Sequence, residues 1–189
     1  PYSALPKKIE NEVNLVTMKS LLSAGNVEKF ISDFHEFKAK HPDPEEYQVL
    51  TKMSIELGSH EAIQAMINSG IDVNQKSPDF NPIFMASRYG YFKIIEALLA
   101  APIKPDLTSQ KDGNILHAVL HASFQNFTKN PLVDYRKCFQ LALPECDVNV
   151  KDAESCSPLH YAVRHRNHAA VLDLLRENAY IGGRNFFKE

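Results

Sequence analysis

Histidine pairs are the residues in this 189-residue sequence whose type and spacing could hold a metal ion. His117 and His121 stand four positions apart, and His165 and His168 stand three apart, so on a helix each pair would share a face. Neither pair has a supporting set of further ligands. The His-Glu at 35–36 lacks the second histidine of a zinc-protease helix. We therefore predict no metal site.

Other catalytic patterns are missing from the sequence as well. There is no Cys-x-x-Cys, no glycine loop that could cradle phosphate and no nucleophile elbow. The chain has seven glycines, and its one adjacent pair, Gly182-Gly183, falls where a turn is expected. We predict that the chain is not an enzyme, that it has no catalytic residues and that it needs no cofactor.

Composition narrows the classes of partner. The net charge of −2 and the pI near 6.5 provide no basic stripe, so we do not expect nucleic acid as a partner. Three cysteines, at 138, 146 and 156, are odd in number, which favours reduced thiols in an intracellular compartment. The longest apolar runs are far shorter than the ~20 residues of a membrane span. This segment itself is predicted to make no membrane contact.

A repeated pattern positions these residues. Ser157-Pro158-Leu159-His160-Tyr161-Ala162 opens a short helix, with proline in its first turn. We predict that Leu159, Ala162 and Val163 share one face of it, and that Val171, Leu174 and Leu175 close against them from a second helix. Similar openings stand at 114–119 and 81–87. Gly25, Gly58 and Gly90 follow at intervals of 33 and 32 residues.

The opening motif, the glycine spacing and the exits Gly70-Ile71-Asp72-Val73-Asn74 and Glu145-Cys146-Asp147-Val148-Asn149 resemble ankyrin repeats. The resemblance implies an all-α fold, an ankyrin-repeat solenoid of about five helix-turn-helix repeats with short β-hairpin-like connections. After an irregular leader at 1–14, we expect an array over 15–189 that continues beyond Glu189. Its repeats are predicted at 15–42, 45–75, 76–108, 109–150 with an insertion at 123–134, and 151–183.

The resemblance also implies how the array works. Ankyrin repeats meet protein partners through hairpin tips and the ends of first helices, while the motif histidines, here His117 and His160, hydrogen-bond hairpin backbone. Phe80, Arg88 and Tyr89 form the most anchor-like group, although Phe80 could instead pack on a neighbouring hairpin. The complete set of partner-binding candidates is Glu56, Phe80, Arg88, Tyr89, Lys111, Asp112, Glu154, Arg164 and His165.

Two local features leave alternatives open. In the insertion, Phe124 and Phe127 are expected to fold back on their own repeat, the alternative being that they dock a partner; the Asn-Phe-Thr glycosylation pattern at 126–128 is discounted. In the fifth repeat, Arg166-Asn167 stands where the family has Gly-His. Either Arg166 takes the left-handed conformation under strain, or the turn shifts and Asn167 takes it.

Three features resemble the cytosolic N-terminal domain of painless-type TRPA channels of invertebrates: the degenerate first units, the interrupted fourth repeat and the ending Asn178-Ala179-Tyr180-Ile181-Gly182-Gly183-Arg184-Asn185. It implies a tetrameric cation channel whose pore lies downstream, with this array as a sensor or coupling module at the cytosolic face of the membrane. Two other readings remain open: a cytoplasmic scaffold or adaptor, and an ankyrin domain that regulates an attached enzyme.

Overall fold

The computed structural model describes residues 13–125 and 130–182, which form paired helices joined by turns and one small sheet. The predicted all-α architecture with hairpin-like connections is confirmed. The predicted leader falls almost wholly outside the described residues, as do 126–129 and 183–189. The helices are α1 (Leu15–Ser23), α2 (Val27–Lys40), α3 (Pro44–Glu56), α4 (His60–Asn68), α5 (Pro82–Tyr89), α6 (Phe92–Ala100), α7 (Ile115–Gln125), α8 (Tyr135–Ala142), α9 (Pro158–Arg164) and α10 (His168–Arg176), with a 3-10 turn at Leu143–Glu145.

The chain divides into two compact units, Pro1–Val73 and Asn74–Glu189. In the first unit α1 packs on α2 and α3, and α4 packs on the same two helices. An aromatic column forms its core: the ring centroids of Phe30 and Phe34 are 5.5 Å apart, and those of Phe34 and Phe37 are 6.1 Å apart. All three side chains are buried, so the single helix α2 supplies much of this unit's apolar interior.

The second unit repeats one packing scheme three times. Helix α5 packs on α6 and α7, α8 packs on α6 and α7, and α9 packs on α7 and α10. The first helix of each pair therefore faces the first helix of the next pair. Ile83, Ile95, Leu98 and Leu116 are fully buried in this unit, because each pair covers the apolar face that its neighbour leaves open.

Short polar side chains begin several of the helices. Asn14 accepts a hydrogen bond from the Thr17 N–H at 3.0 Å, and Asn167 accepts one from the Ala170 N–H at 3.1 Å. These contacts satisfy backbone donors that the first turn of a helix leaves unpaired. Three helices also have a proline in the first turn, as predicted for α9: Pro44, Pro82 and Pro158.

Two of the connections between pairs contain a short antiparallel pairing. Strands β1 (Thr108–Ser109) and β2 (Gly113–Asn114) pair antiparallel, with Thr108 opposite Asn114. An isolated bridge between Ser77 and Phe80 stands at the corresponding place in the turn before α5.

In the first, second, third and fifth pairs, a residue at the corner between the two helices has the left-handed conformation. Gly25, Gly58 and Gly90 have φ of 69°, 69° and 74°, and in the fifth pair Arg166 has φ of 54°. Asn167, the next residue, has φ of −84° and is not left-handed. Arg166 therefore takes the strained left-handed conformation, and the turn does not shift to Asn167. A non-glycine residue in this conformation costs roughly 1–2 kcal/mol.

Two predicted core positions of the fifth pair are wrong. Leu159 and Leu174 are buried, but Leu175 is 37% exposed and Val163 is 60% exposed. Among the described residues, α9 and α10 are covered by a neighbouring pair on one side only, so side chains on the other side stay in contact with solvent. Val171 is half-buried.

The insertion also differs from its prediction. Helix α7 continues to Gln125, so the first residues assigned to the insertion are helical rather than loop. The N-terminal half of the remaining loop lies outside the described residues, including Phe127 and the discounted glycosylation pattern.

In the described ranges no helix combines the length and the apolar character that a bilayer crossing needs.

Replacing Leu174 by alanine should lower the free energy of unfolding by ~2–5 kcal/mol, because its side chain is fully buried. Leu175→Ala is the matched control, because it removes the same atoms from the neighbouring leucine, whose side chain is exposed. It should lower the free energy of unfolding by less than ~1 kcal/mol. Urea denaturation followed by circular dichroism measures both. Equal losses would contradict the observed packing.

Candidate interaction surface

The end of α5 and the tip of the β1–β2 turn bring three predicted partner-binding residues near one another. An Arg88 guanidinium nitrogen lies 3.4 Å from a carboxylate oxygen of Asp112, and both side chains are more than a third exposed. Tyr89 is 40% exposed and stacks on Tyr91 with ring centroids 5.5 Å apart. The ion pair contributes at most ~1 kcal/mol because water screens it. The stacked tyrosines leave an accessible aromatic face beside a cation.

Phe80 does not belong to this surface. Its side chain is only 8% exposed, and its backbone exchanges hydrogen bonds with Ser77 at 2.8 and 3.1 Å. The phenyl ring is therefore buried in the core and is not available to a partner. Tyr89 is left as the exposed aromatic residue of the predicted anchor group.

The turns before α7 and α9 contact each other and hold two further candidates. The Ala153 N–H donates to the Lys111 carbonyl at 3.2 Å, which joins the two turns directly. Lys111 and Glu154 are both exposed here. A partner that contacted one turn would therefore also meet the other. Because Lys111 and Glu154 carry opposite charges, such a partner would need complementary charges at two neighbouring positions.

Asp152 organises the turn that carries Glu154. One carboxylate oxygen accepts from the N–H groups of Glu154 and Cys156, each at 2.9 Å, and the other accepts from the Tyr161 hydroxyl at 2.7 Å. Burial, together with the hydrogen bond to Asp152 and the charge of that carboxylate, raises the pKa of Tyr161. Within the described ranges, the potential ligand atoms of Asp152, Glu154 and Cys156 lie within 4.8 Å of one another. Because both oxygens of Asp152 are already used, the turn itself accounts for this cluster.

His117 lies beneath these turns and is buried. Its Nδ1 lies 3.1 Å from the Asn114 backbone nitrogen and 2.9 Å from the Asn114 side-chain oxygen, and its Nε2 lies 3.1 Å from the Cys156 carbonyl. Burial lowers its pKa, although the contacts with Cys156 and Asn114 and the charge of Asp152 act in the opposite direction. His160 contacts the Ser157 N–H at 3.0 Å in the same way. The predicted backbone role of both histidines is confirmed.

The end of α9 carries the last two candidates. The Arg164 guanidinium lies 5.7 Å from the Tyr161 ring centroid and 3.8 Å from the Cys156 sulfur. His165 stacks on Phe124 with centroids 4.3 Å apart and the rings 11° from parallel. Phe124 is 53% exposed, so it does not fold into its own pair as expected but lies across the next one.

Burial lowers the pKa of His165, and the nearby imidazole of His121 and guanidinium of Arg164 lower it further. The Leu120 carbonyl, 3.1 Å from its Nδ1, has the opposite effect. His121 lies 6.0 Å from His165 between ring centroids. His121 thus contacts Gln125 on its own helix, at 2.9 Å between the two Nε2 atoms, as well as the rings of the following pair.

The C-terminal end of the insertion contacts the preceding pair. The Asp134 N–H donates to the Gly90 carbonyl at 2.9 Å, and the Tyr135 hydroxyl donates to the Arg88 carbonyl at 3.0 Å. Lys137 extends its ammonium group over the Phe92 ring at 4.5 Å. The insertion thus meets the third pair at one end and, through Phe124, the fifth at the other. Nothing in its sequence periodicity could have indicated these contacts.

The first unit holds one candidate, Glu56, at the exposed last residue of α3. It also has an open cleft of about 400 Å³ between α2 and α4, which the sequence did not indicate. Both polar and apolar side chains line the cleft. Among them, His60 Nδ1 lies 3.1 Å from a Glu61 carboxylate oxygen. Its lining includes Ile31, His35, His60, Glu61, Gln64 and Asn68.

Comparison with known proteins agrees with this geometry. The ankyrin repeat family profile matches residues 154–185. The chain is 28% identical over 193 aligned residues to the transient receptor potential cation channel protein painless of Drosophila melanogaster, covering 93% of this chain and 20% of that protein. It is 27% identical over 123 residues to transient receptor potential cation channel subfamily A member 1 of Homo sapiens, covering 65% of this chain and 10% of that one. The chain therefore spans a fifth or less of the length of these relatives.

Gly90→Ala should cost more stability than Gly25→Ala. Both replace a left-handed glycine, with φ of +74° and +69°. A Cβ at Gly90 would lie 2.8 Å from both Tyr135 and Val133, whereas at Gly25 it meets nothing within 4 Å. We expect an additional loss of about 1–3 kcal/mol at Gly90 by thermal or urea unfolding, since Tyr135 is held by its hydrogen bond to Arg88. Equal losses would show that the insertion is not held at this corner.

His117 should make stability depend on pH. Its folded pKa is depressed, so below the ordinary value of about 6.5 the unfolded chain binds a proton that the folded chain does not. Its contribution is complete above that pH and is lost as the pH falls from about 7 toward the folded pKa. The unfolding free energy of His117→Gln should therefore fall less than that of the wild type between pH 7 and 5. An equal fall in the two proteins would show that burial of His117 does not cause the pH dependence.

Proposed function

Since this chain is an ankyrin-repeat array homologous to transient receptor potential channels, we propose that it is a non-catalytic protein-interaction domain on the cytosolic side of a TRPA-type cation channel. Its partners are then other proteins, or other parts of the same channel, and it couples their binding to the pore. The chain itself contributes neither a nucleic-acid site nor a contact with the membrane.

The similarity to the fly channel protein carries this proposal, because it extends over nearly the whole chain rather than over one repeat. A general likeness between stacks of ankyrin repeats would be expected to match best at the fifth pair, where the family motif is strongest. The aligned region instead includes the degenerate first unit and the interrupted fourth pair.

The geometry favours binding over catalysis. The accessible groups, Arg88, Tyr89, Lys111, Glu154 and Arg164, lie on turn tips and helix ends, where they can meet a macromolecule. Burial raises the pKa of the Cys138 and Cys146 thiols to about 12, which makes both poor nucleophiles. Both ring nitrogens of His117 contact backbone atoms inside the protein, so neither is available to a substrate.

The other two readings are a scaffold or adaptor in the cytoplasm and an ankyrin domain that regulates an attached enzyme. Either could present the same turn tips. The two relatives favour the channel assignment, since both are named as cation channels.

A chimera tests the channel assignment. The segment of the fly painless protein that aligns with this chain is replaced by residues 1–189, and whole-cell currents and surface labelling are measured in cultured cells. We expect cation current from a chimera that reaches the cell surface. The matched control carries Leu174→Ala, which should reduce current in proportion to the folding lost, while Leu175→Ala should not. A chimera present at the surface without current would overturn the proposal and favour the scaffold.

A further inference from the structure

The corner between α9 and α10 is positively charged to an unusual degree. Arg164, His165, Arg166 and His168 stand within five consecutive residues, and all but His165 are exposed. We call these four residues the basic corner. Helix α10 also directs the N–H groups of its first turn toward this corner, which adds partial positive charge.

Arg166 occupies a position that would suit glycine better. It has φ of 54°, whereas Gly25, Gly58 and Gly90 fill the same corner in three other pairs. Backbone strain that is retained at a non-glycine residue is found most often at functional sites. A cation near a helix C-terminus is favourable, but Arg164 already supplies one in the last turn of α9. The fold therefore provides no reason for arginine at 166.

The charge of Arg166 is also not neutralised locally. Across residues 13–125 and 130–182, other cations pair with carboxylates: Lys76 with Asp106, Arg88 with Asp112 and Arg176 with Asp173. No carboxylate in these ranges lies within ion-pair distance of Arg166. Its guanidinium can therefore donate two parallel hydrogen bonds to the carboxylate of a partner.

Aromatic rings surround His165, the residue that precedes Arg166 in the chain. Phe124 stacks on His165, and His121 approaches the same imidazole from α7. More than half of the Phe124 side chain is exposed, so one side of the ring can accept an apolar or aromatic group. Cationic and aromatic groups side by side are typical of positions that dominate the energetics of protein interfaces.

We propose that the basic corner, with His121 and Phe124, is the docking site for an acidic peptide segment of a protein partner. A carboxylate of that segment pairs with Arg166, and an apolar side chain beside it lies on Phe124. This inference rests on the proposed function and specifies where and with what chemistry the interaction occurs.

The proposal includes a dependence on pH with a defined sign. His165 is faced by His121 from α7, by Tyr161 and Arg164 from its own helix, and by the Leu120 carbonyl. Burial first, and then the neighbouring His121 and Arg164, lower the pKa of His165, while the Leu120 carbonyl acts in the opposite direction, so the free ring is mostly neutral near pH 7. A bound carboxylate favours the charged ring, so the affinity should increase as the pH falls from 7.5 to 6.

Fluorescence anisotropy with the 189-residue chain provides the test. The probe is a labelled twelve-residue peptide, three copies of Glu-Asp-Glu-Phe, and its counterpart has lysine at every acidic position. We expect the acidic peptide alone to bind, less tightly as salt increases. Arg166→Gly should weaken binding about tenfold, as expected for loss of one charge-assisted contact. The same substitution should leave the melting temperature unchanged or raise it, because it removes the strain.

Arg176→Ala is the matched control, since it removes an exposed arginine of the same second unit and lowers the net charge equally. It should leave peptide affinity within about twofold. Equal weakening by the two variants would reduce the effect to overall charge and overturn the proposal. So would a fall in melting temperature for Arg166→Gly that matched the loss of binding, because Arg166 would then be structural.

Vesicles of phosphatidylserine and phosphatidylcholine separate a lipid surface from a peptide. If the chain sedimented with these vesicles and ignored the acidic peptide, the corner would be assigned to the membrane and the proposal would be wrong. The chimera separates this inference from the function on which it rests. Current with no peptide binding would reject only the basic corner, whereas peptide binding with no current would reject only the channel assignment.

Discussion

A pair of short helices cannot enclose its own apolar face, and every other feature of this chain depends on that constraint. Each face is covered by the next pair, as α7 covers α5 and α9 covers α7 in the second unit. The constraint fixes the interval between pairs and therefore the alignment of the turns. It also leaves turn tips and helix ends in contact with solvent, and these are the places where charged and aromatic residues collect.

The sequence could predict whatever repeats at a fixed interval. The left-handed corners at Gly25, Gly58 and Gly90, the prolines that open helices and the backbone contacts of His117 all follow from a motif and a period. Burial was less predictable. Leu174 and Leu175 are adjacent in an apolar pattern, and only the presence of a covering pair on one side decides that the first is buried and the second is not.

The candidate surface was predictable only in outline. Phe80 lies on a turn, as predicted, but it forms a two-residue bridge with Ser77 and its side chain is buried. The residue types of the turn did not decide between a buried and an exposed ring. The contacts of the insertion were also beyond prediction. Tyr135 and Phe124 reach backbone or rings of other pairs, far away in sequence, and a non-periodic loop gives no indication of its neighbours. The sequence did narrow the choice at Arg166 to two conformations, of which the structure adopts the strained one.

The insertion has a mechanical consequence. A plain stack resists a pulling force only through the apolar interface between neighbouring pairs, so it extends like a uniform spring. Here the bonds from Asp134 to Gly90 and from Tyr135 to Arg88 act in parallel with the interface between the third and fourth pairs. The stacking of Phe124 on His165 adds a weaker link on the other side. To separate the third and fourth pairs by pulling, the two hydrogen bonds would therefore have to break together with the apolar interface.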